Sequence, residues 1–330
     1  MHSNQFRGSP QMINLLVGST LLIASTLALA PAFEPVASAL RSSDDRQATS
    51  LLAQARQALG GEKLARVHGL TASGIYQREL GDRLMNGDVT LDLELPDKML
   101  RTDSMSPMPD ATVVMLQGLN GDRLLRNIRT PMGGPNVVMR AGPPGGGQGG
   151  GKDNESAEQM ALRNQRAELT RLTLGLLLTT PPSMAVEYAY GGQAESADGR
   201  ADVIDAKGPG SFAARLFLDQ QSHRPLMLTY RGVAPRVFMQ TQRKEAGVNR
   251  GPESGRPDGP GKLAPPSEPG PGEPPQIVDI SLFLDDYRPV DGVLLPHHLS
   301  RSIDGKPNED ITFKTITINP AFKPDAFSGK

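Results

Sequence analysis

The sequence predicts an α+β chain that is mostly β, with one large curved antiparallel sheet wrapped around a few helices. Three observations predict it. Apolar and polar residues alternate through most of the chain, the period of strands with one wet face. Two stretches, residues 43–59 and 155–178, carry the 3.6-residue period of helices instead. The connections between strand-like runs are short and contain Asn-Gly and Asp-Gly steps, which close antiparallel hairpins.

The N-terminus comes first. Residues 13–30, "INLLVGSTLLIASTLALA", form an apolar run behind a short polar segment carrying Arg7. Ala28-Leu29-Ala30 is a poor cleavage site because Pro31 follows it directly, whereas Ala37-Ser38-Ala39 is followed by Leu40. The layout is that of a secretory signal peptide, residues 1–39, cleaved after Ala39 and followed by a single domain over 40–330. The rival is an uncleaved anchor, since 18 apolar-leaning residues lie at the lower limit for a span. Both readings place the rest of the chain in a periplasm or outside the cell.

A helix is expected next in "SSDDRQATSLLAQARQALGG", with Ser43 or Asp44 as its cap, a stripe of Leu52, Ala55 and Leu59, and Gly60-Gly61 as its stop. The period then changes to two. "LTASGIYQREL" and "DVTLDLELPD" read as strands joined through Gly81 to Gly87, the second with Val89, Leu91, Leu93 and Leu95 on its apolar side. "KMLRTD", "TVVMLQG", "DRLLRNI" and "NVVMR" follow, with Asn120-Gly121 as a hairpin signal. The second helix, 155–178, carries Leu162, Leu169, Leu172 and Leu176 and is apolar nearly all round at its end, which points to burial; Pro181-Pro182 closes it. Eight further strands are expected in "MAVEYAYG", "ADVIDAKG", "FAARLFLDQ", "PLMLTYRG", "PRVFMQTQ", "IVDISLFLDDY", "LLPHHLSRSI" and "EDITFKTITIN". In the last, Ile311 and Phe313 share one parity and Ile316 and Ile318 the other, so a bulge is expected near Thr315.

Two inserts, 141–153 and 244–276, are too rich in Gly, Pro and charge to bury surface of their own and read as disordered loops, the second between adjacent strands. The first contains G-x-G-x-x-G at Gly145, Gly147 and Gly150, and G-x-x-x-x-G-K from Gly146 to Gly151 and Lys152. A phosphate loop needs a parallel strand leading into it and a hydroxyl after the lysine. Here Pro143-Pro144 precede the glycines and Asp153 stands at the hydroxyl position, so the segment reads as a connector.

Composition excludes several function classes. The 330-residue chain has no cysteine, hence no disulfide, thiolate nucleophile or lipidated N-terminal cysteine. A formal net charge of -1, 4% aromatic residues and no tryptophan argue against nucleic-acid binding. His297-His298 is the only histidine pair, but neighbours on a strand face opposite ways and cannot share a metal. Asp285-Asp286 reads as the end of a strand turning into Tyr287-Arg288-Pro289. No G-x-S-x-G or H-E-x-x-H occurs, so no catalytic residue, metal or cofactor is expected. Thirteen methionines, among them Met85, Met99, Met115, Met139, Met160, Met184, Met227 and Met239 in or beside predicted elements, offer either a soft lining for acyl chains or plain core filling.

Three segments carry a family resemblance. "ARQALGGEKLARVHGLTASG" resembles an opening in which a helix stops at Gly-Gly and leads into the first strand. "DGRADVIDAKGPGSFAARLFLDQQSHRPLMLTY" is similar to a central hairpin, and "LDDYRPVDGVLLPHHLSRSIDG" with "ITFKTITINPAFKPDAF" to the terminal strands and closing tail. Together they resemble the LolA/LolB-like proteins, outer-membrane lipoprotein carriers and receptors, over most of residues 50–326. The resemblance implies an open half-barrel covered by helices over an apolar cavity. The first reading is therefore a non-enzymatic monomeric binding protein holding a lipid or a lipoprotein acyl chain. No ligand contact carries over from the family by position, and the candidate lining residues are those whose strand or helix parity faces inward, Leu91, Leu93, Leu172, Leu176, Phe217, Leu228 and Phe283. The alternative is an envelope interaction or assembly protein, its core filled by its own side chains, with a protein partner and no ligand.

Overall fold

A computed structural model of the chain describes residues 35–80, 83–108, 111–129, 137–140, 152–197, 199–234, 238–241 and 276–329. Most of the signal-peptide reading, both glycine motifs and nearly all of the two inserts lie outside these residues.

Helix α1 (Pro35–Leu59) starts eight residues before the expected cap. Ser43 and Asp44 therefore lie inside it, because Pro35 suits a first turn and the "VASAL" that follows does not break a helix. Ala48, Leu52, Ala55 and Leu59 are buried at spacings of four, three and four, the stripe by which α1 packs on the sheet. Gly60 and Gly61, at φ 137° and 56°, stop it where a side chain would be strained, and a single turn, α2 (Glu62–Ala65), follows.

Five strands then run as an antiparallel meander: β1 (Gly69–Leu80), β2 (Arg83–Glu94), β3 (Lys98–Met108), β4 (Ala111–Asn120) and β5 (Arg123–Arg129). β2 already begins at Arg83, short of the Gly87 expected to end the connection. Gly87 lies within β2 opposite Tyr76, where a Cβ would come within 2.8 Å of the Tyr76 ring. After β6 (Val137–Arg140) and the long α3 (Lys152–Leu177) come β7 (Glu187–Ser196), β8 (Gly199–Gly208), β9 (Phe212–Asp219) and β10 (Pro225–Val233). The chain ends with β11 (Phe238–Thr241), β12 (Ile277–Val290), β13 (Val293–Ile303) and β14 (Lys306–Ile318).

Twelve of these strands make one open antiparallel sheet in the order β5-β4-β3-β2-β1-β14-β13-β12-β10-β9-β8-β7. It consists of two meanders sewn together at the centre, where β1 pairs with β14 from Leu70 opposite Ile318 to Arg78 opposite Glu309. The expected bulge is present in this seam. Ser73 faces Thr315 and Gly74 faces Phe313, leaving Lys314 as the extra residue. That single insertion lets Ile311 and Phe313 stay buried while the parity switches beyond them. Gly74 is required here, since a Cβ would stand 2.0 Å from the Thr312 carbonyl oxygen. The hairpins after β12 and β13 turn on Asp291-Gly292 (φ 52° and 83°) and Asp304-Gly305 (φ 48° and 75°), both positions positive as a tight hairpin demands.

Two expectations change. β12 does not end at Asp285-Asp286. Asp286 takes a positive φ of 51° and its carboxylate grips Arg288 (Nε to Oδ1 2.9 Å), so the strand absorbs a kink and continues to Val290. The second insert also does not join adjacent strands of the main sheet. β10 pairs directly with β12, Val233 facing Ile277, and the Ala234 amide donates to the Gln276 carbonyl at 2.9 Å. With that edge occupied, β11 pairs instead with β6 in a separate two-stranded ribbon.

Helix α3 lies across the concave face, packing on β4, β5, β9 and β10. Its last turns are buried on all sides as their composition predicts: Leu169, Leu174, Leu176, Leu177 and Leu178 are each at most 4% exposed. Thr170 and Thr173 are fully buried and donate to the Arg166 and Leu169 carbonyls at 2.7 and 2.9 Å. Leu178 closes the helix at φ 51°, and its carbonyl accepts from Arg56 Nε (3.1 Å) and Nη2 (2.9 Å), tying α1 to the end of α3.

Candidate functional site

Most of the concave side of the sheet is an apolar surface with the helices set into it. Leu91 and Leu93 of β2 and Leu228 of β10 face it, and Leu172 and Leu176 of α3 meet them in the same core. Met99 and Met105 from β3, and Met184 after α3, are buried in that core, with Met85 and Met115 packed at its margin. Met160 on α3 is exposed, and Met139 and Met239 pair across the small ribbon.

Phe217 and Phe283 are not part of this lining. In the pairing of β9, β10 and β12, Leu216, Leu228 and Leu282 stand together on the concave side, which turns Phe217, Met227 and Phe283 to the convex one. There Val203, Phe217 and Met227 form a small separate cluster with Ala201, and Phe283 is 37% exposed. A period of two leaves adjacent residues no shared face, so both phenylalanines are corrected from lining to outer-surface residues.

Two small clefts border α3 among the described residues. A cleft of about 50 Å³ lies between Asp97, Leu119, Arg166, Leu169 and Met184. Another of about 150 Å³ lies between Leu124, Glu158 and Leu162. Neither reaches the roughly 300 Å³ at the low end of small-molecule sites.

Beneath residues 165–171 of α3 the concave face stops being apolar. Glu309 of β14, buried, accepts from Arg101 of β3 through both oxygens (Nη1 3.0 Å, Nη2 2.7 Å) and from Arg78 Nε of β1 at 2.8 Å. Asp103, also buried, accepts from Arg101 Nε at 2.7 Å and Arg78 Nη2 at 3.1 Å. On the other side of Glu309, Arg301 of β13 donates to Glu168 of α3 at 2.6 Å, and Arg171 stands 3.8 Å from the same carboxylate. The Arg171 guanidinium stacks 3.8 Å from the centroid of Tyr230, while Arg78 and Arg101 lie 5.1 and 5.9 Å from that of Tyr76. Gln117 of β4 donates to Gln165 of α3 at 3.0 Å beside them.

Burial on its own raises the pKa of a carboxylate, but Arg101 and Arg78 outweigh it at Glu309 and hold the group far below the usual range. Glu168 moves the same way, burial being outweighed by Arg301 and Arg171. Burial, then the charge of Asp103, pushes the Tyr76 hydroxyl up to about 12; burial and Glu168 do the same to Tyr230. Glu309 and Glu168 thus stay ionised in the interior because each faces arginines.

The histidine pair behaves as strand geometry requires. His297 is buried on the concave side with Nδ1 3.1 Å from the Leu295 carbonyl, and His298 faces outward with Nε2 2.9 Å from Asp310. Among the described residues no three His, Asp or Glu side chains are grouped to hold a metal ion, and no helix is long and apolar enough to cross a membrane.

The charged cluster is the feature the sequence reading missed, although a signal was present. Arg78 shares the inward parity of Tyr76, and Arg101 and Asp103 that of Met99 and Met105. Arg301 likewise shares the parity of Leu299, and Glu309 that of Ile311. Charges on the apolar parity of four strands mark one buried polar site.

No family model and no curated protein matches the chain. Among solved structures it is similar to a LolA superfamily protein from Nitrosomonas europaea, at 9% identity and a TM-score of 0.43, over 85% of this chain and 96% of that one. It is also similar to a protein domain from Vibrio parahaemolyticus described as an outer-membrane lipoprotein sorter. There the identity is 10% and the TM-score 0.43, over 86% and 97% of the two chains. A DUF1329 family protein from Desulfovibrio piger follows at 6% identity and 0.38, over 85% and 96%. At such identities and scores the likenesses carry no functional argument. The open antiparallel sheet wrapped around helices stands on its own strand order.

Proposed function

We propose that the chain is a non-enzymatic extracytoplasmic binding protein that holds a lipid, or the acyl chain of a lipoprotein, between its half-barrel and its helices. One observation carries this reading: two apolar surfaces meet without interruption, Leu91, Leu93 and Leu228 on the sheet and Leu172 and Leu176 on α3. Met99, Met105 and Met184 in the same core adapt readily to a different partner. Any apolar chain that replaces part of this contact recovers the same solvent-exclusion free energy, about 25 cal/mol per Å². α3 itself occupies the trough in the structure, so an acyl chain enters by displacing the apolar turns around Leu172–Leu178. Protein recovered from a periplasm is expected to release a lipid on solvent extraction, to show its mass in native mass spectrometry, and to bind a fluorescent fatty acid saturably. Lipid-free protein that binds no fatty acid overturns the reading.

The packed apolar core favours a second reading. With clefts of only about 50 and 150 Å³, the same fold serves as a solid scaffold for an envelope protein partner. In that case the mature protein carries no ligand and co-purifies with a protein.

A further inference from the structure

We propose that the arginine-rimmed cluster under α3 is a binding site for an anionic group of the phosphate or carboxylate class, the headgroup of an amphiphile whose tail lies along the apolar turns beside it. Four guanidiniums, Arg78, Arg101, Arg171 and Arg301, surround three carboxylates, Asp103, Glu168 and Glu309, so the cluster carries one cation more than it can pair internally. The charges are also layered. The side chains of Glu309 and Asp103 are 3% and 8% exposed, whereas those of the four arginines are 14–24% exposed. Glu309 and Asp103 form a floor, and the four arginines, together with Glu168 at 26% exposed, make up the outer face.

A second observation points to an acceptor that the protein itself does not supply. Among the described residues three buried side-chain polar atoms have no hydrogen-bond partner, and all three belong to this cluster: the Tyr76 hydroxyl, Arg171 Nε and Arg301 Nε. Tyr76 is 1% exposed, and its hydroxyl lies in the field of Asp103, Arg78, Arg101 and Glu309. An arginine Nε can only donate, and each unpaired buried donor costs about 1–3 kcal/mol. Native interiors rarely leave such groups unpaired, and three in one cluster carrying excess positive charge call for an anion with several oxygens. Phosphate and carboxylate fit because their paired oxygens match the guanidinium fork. A metal ion would leave the same donors unsatisfied, and a neutral hydroxyl would accept from them without balancing the excess positive charge.

The lipid half of this inference rests on the acyl-binding reading above, while the anion half does not, and the experiment separates them. Four probes are titrated against the full mature chain at constant ionic strength: inorganic phosphate, dodecanoate, dodecanol, and chloride as control. Binding is read by calorimetry and by the shift in thermal midpoint. Phosphate is expected to bind saturably where chloride does not, and dodecanoate to bind at least about tenfold more tightly than dodecanol. Arg171→Met keeps a flexible side chain against Tyr230 and gives up a 3.8 Å ion pair and the guanidinium's contacts with the Tyr230 and Phe212 rings. It should cut the dodecanoate preference to about twofold or less while dodecanol binding is unchanged. Arg301→Lys serves if that variant fails to fold. Equal binding of dodecanoate and dodecanol, with no response to phosphate, overturns the anion site and leaves the acyl reading standing. Phosphate binding without binding of either chain keeps the anion site and ends the acyl reading. No binding by any probe removes both.

Discussion

The two halves of α3 sit on the same sheet by opposite means. From Leu172 to Leu178 the helix is held by leucines buried against leucines, an attraction without direction that tolerates re-packing. From Gln165 to Arg171 it is held by directed contacts, Gln165 to Gln117 and Glu168 to Arg301, over carboxylates that survive burial only because each has its arginines. The difference teaches where the molecule can change and where it cannot. The apolar half can exchange partners at little cost, whereas loss of Glu309 from the charged half strands the arginines that it pairs.

The largest effect is expected where that rule is broken outright. Glu309→Ala strips one of the two acceptors shared by Arg78 and Arg101 and leaves both guanidiniums to Asp103 alone, so urea denaturation should show a loss of about 3–5 kcal/mol. Leu174→Ala, in the fully buried apolar half, should cost about 2–5 kcal/mol by the same measurement. It should also leave hydrogen-exchange protection in β14 and β3 intact, whereas Glu309→Ala should reduce it. Equal loss of protection in both variants would show that the halves are one cooperative unit.

The smallest and most selective effect is that of acid. Glu309 and Glu168 release their protons more readily folded than unfolded, so the stability they add is complete above the ordinary glutamate pKa of 4.5. It is lost as pH falls below that value toward the depressed folded pKa. Urea midpoints should therefore hold from neutral pH to about 5 and then decline. Glu309→Gln should flatten the decline, and Leu174→Ala should leave its shape unchanged.

Most of the fold could be read from residue order, because strands with one wet face advertise their inward parity. Val89, Leu91 and Leu93 declared β2, and the parity switch between Phe313 and Ile316 located the bulge at Lys314. The errors have equally local causes. Pairing between β6 and β11 joins two four-residue strands about a hundred residues apart, and nothing in either sequence specifies the other. "LFLD" in β9 is apolar on both parities at Phe217, so alternation gave no answer there. In β12, Ser281 and Asp285 flank Phe283 at two residues on either side and mark its face as the wet one. The charged cluster was hidden for the opposite reason: Arg101, Asp103 and Glu309 look like wet-face residues until their parity is counted.

The seam between β1 and β14 has a consequence in time as well as in space. Its partners, Leu70 and Ile318 among them, are separated by nearly the whole described chain. Each meander can form from neighbouring hairpins as it is made, but the central pairing must wait for the last strand, at the cost of closing a very long loop. Until then both meanders have open edges in mid-sheet, and Glu309 has yet to reach Arg78 and Arg101. The chain is thereby committed to a slow final closure that assembles its hydrogen-bonded centre and its ionic centre in one event.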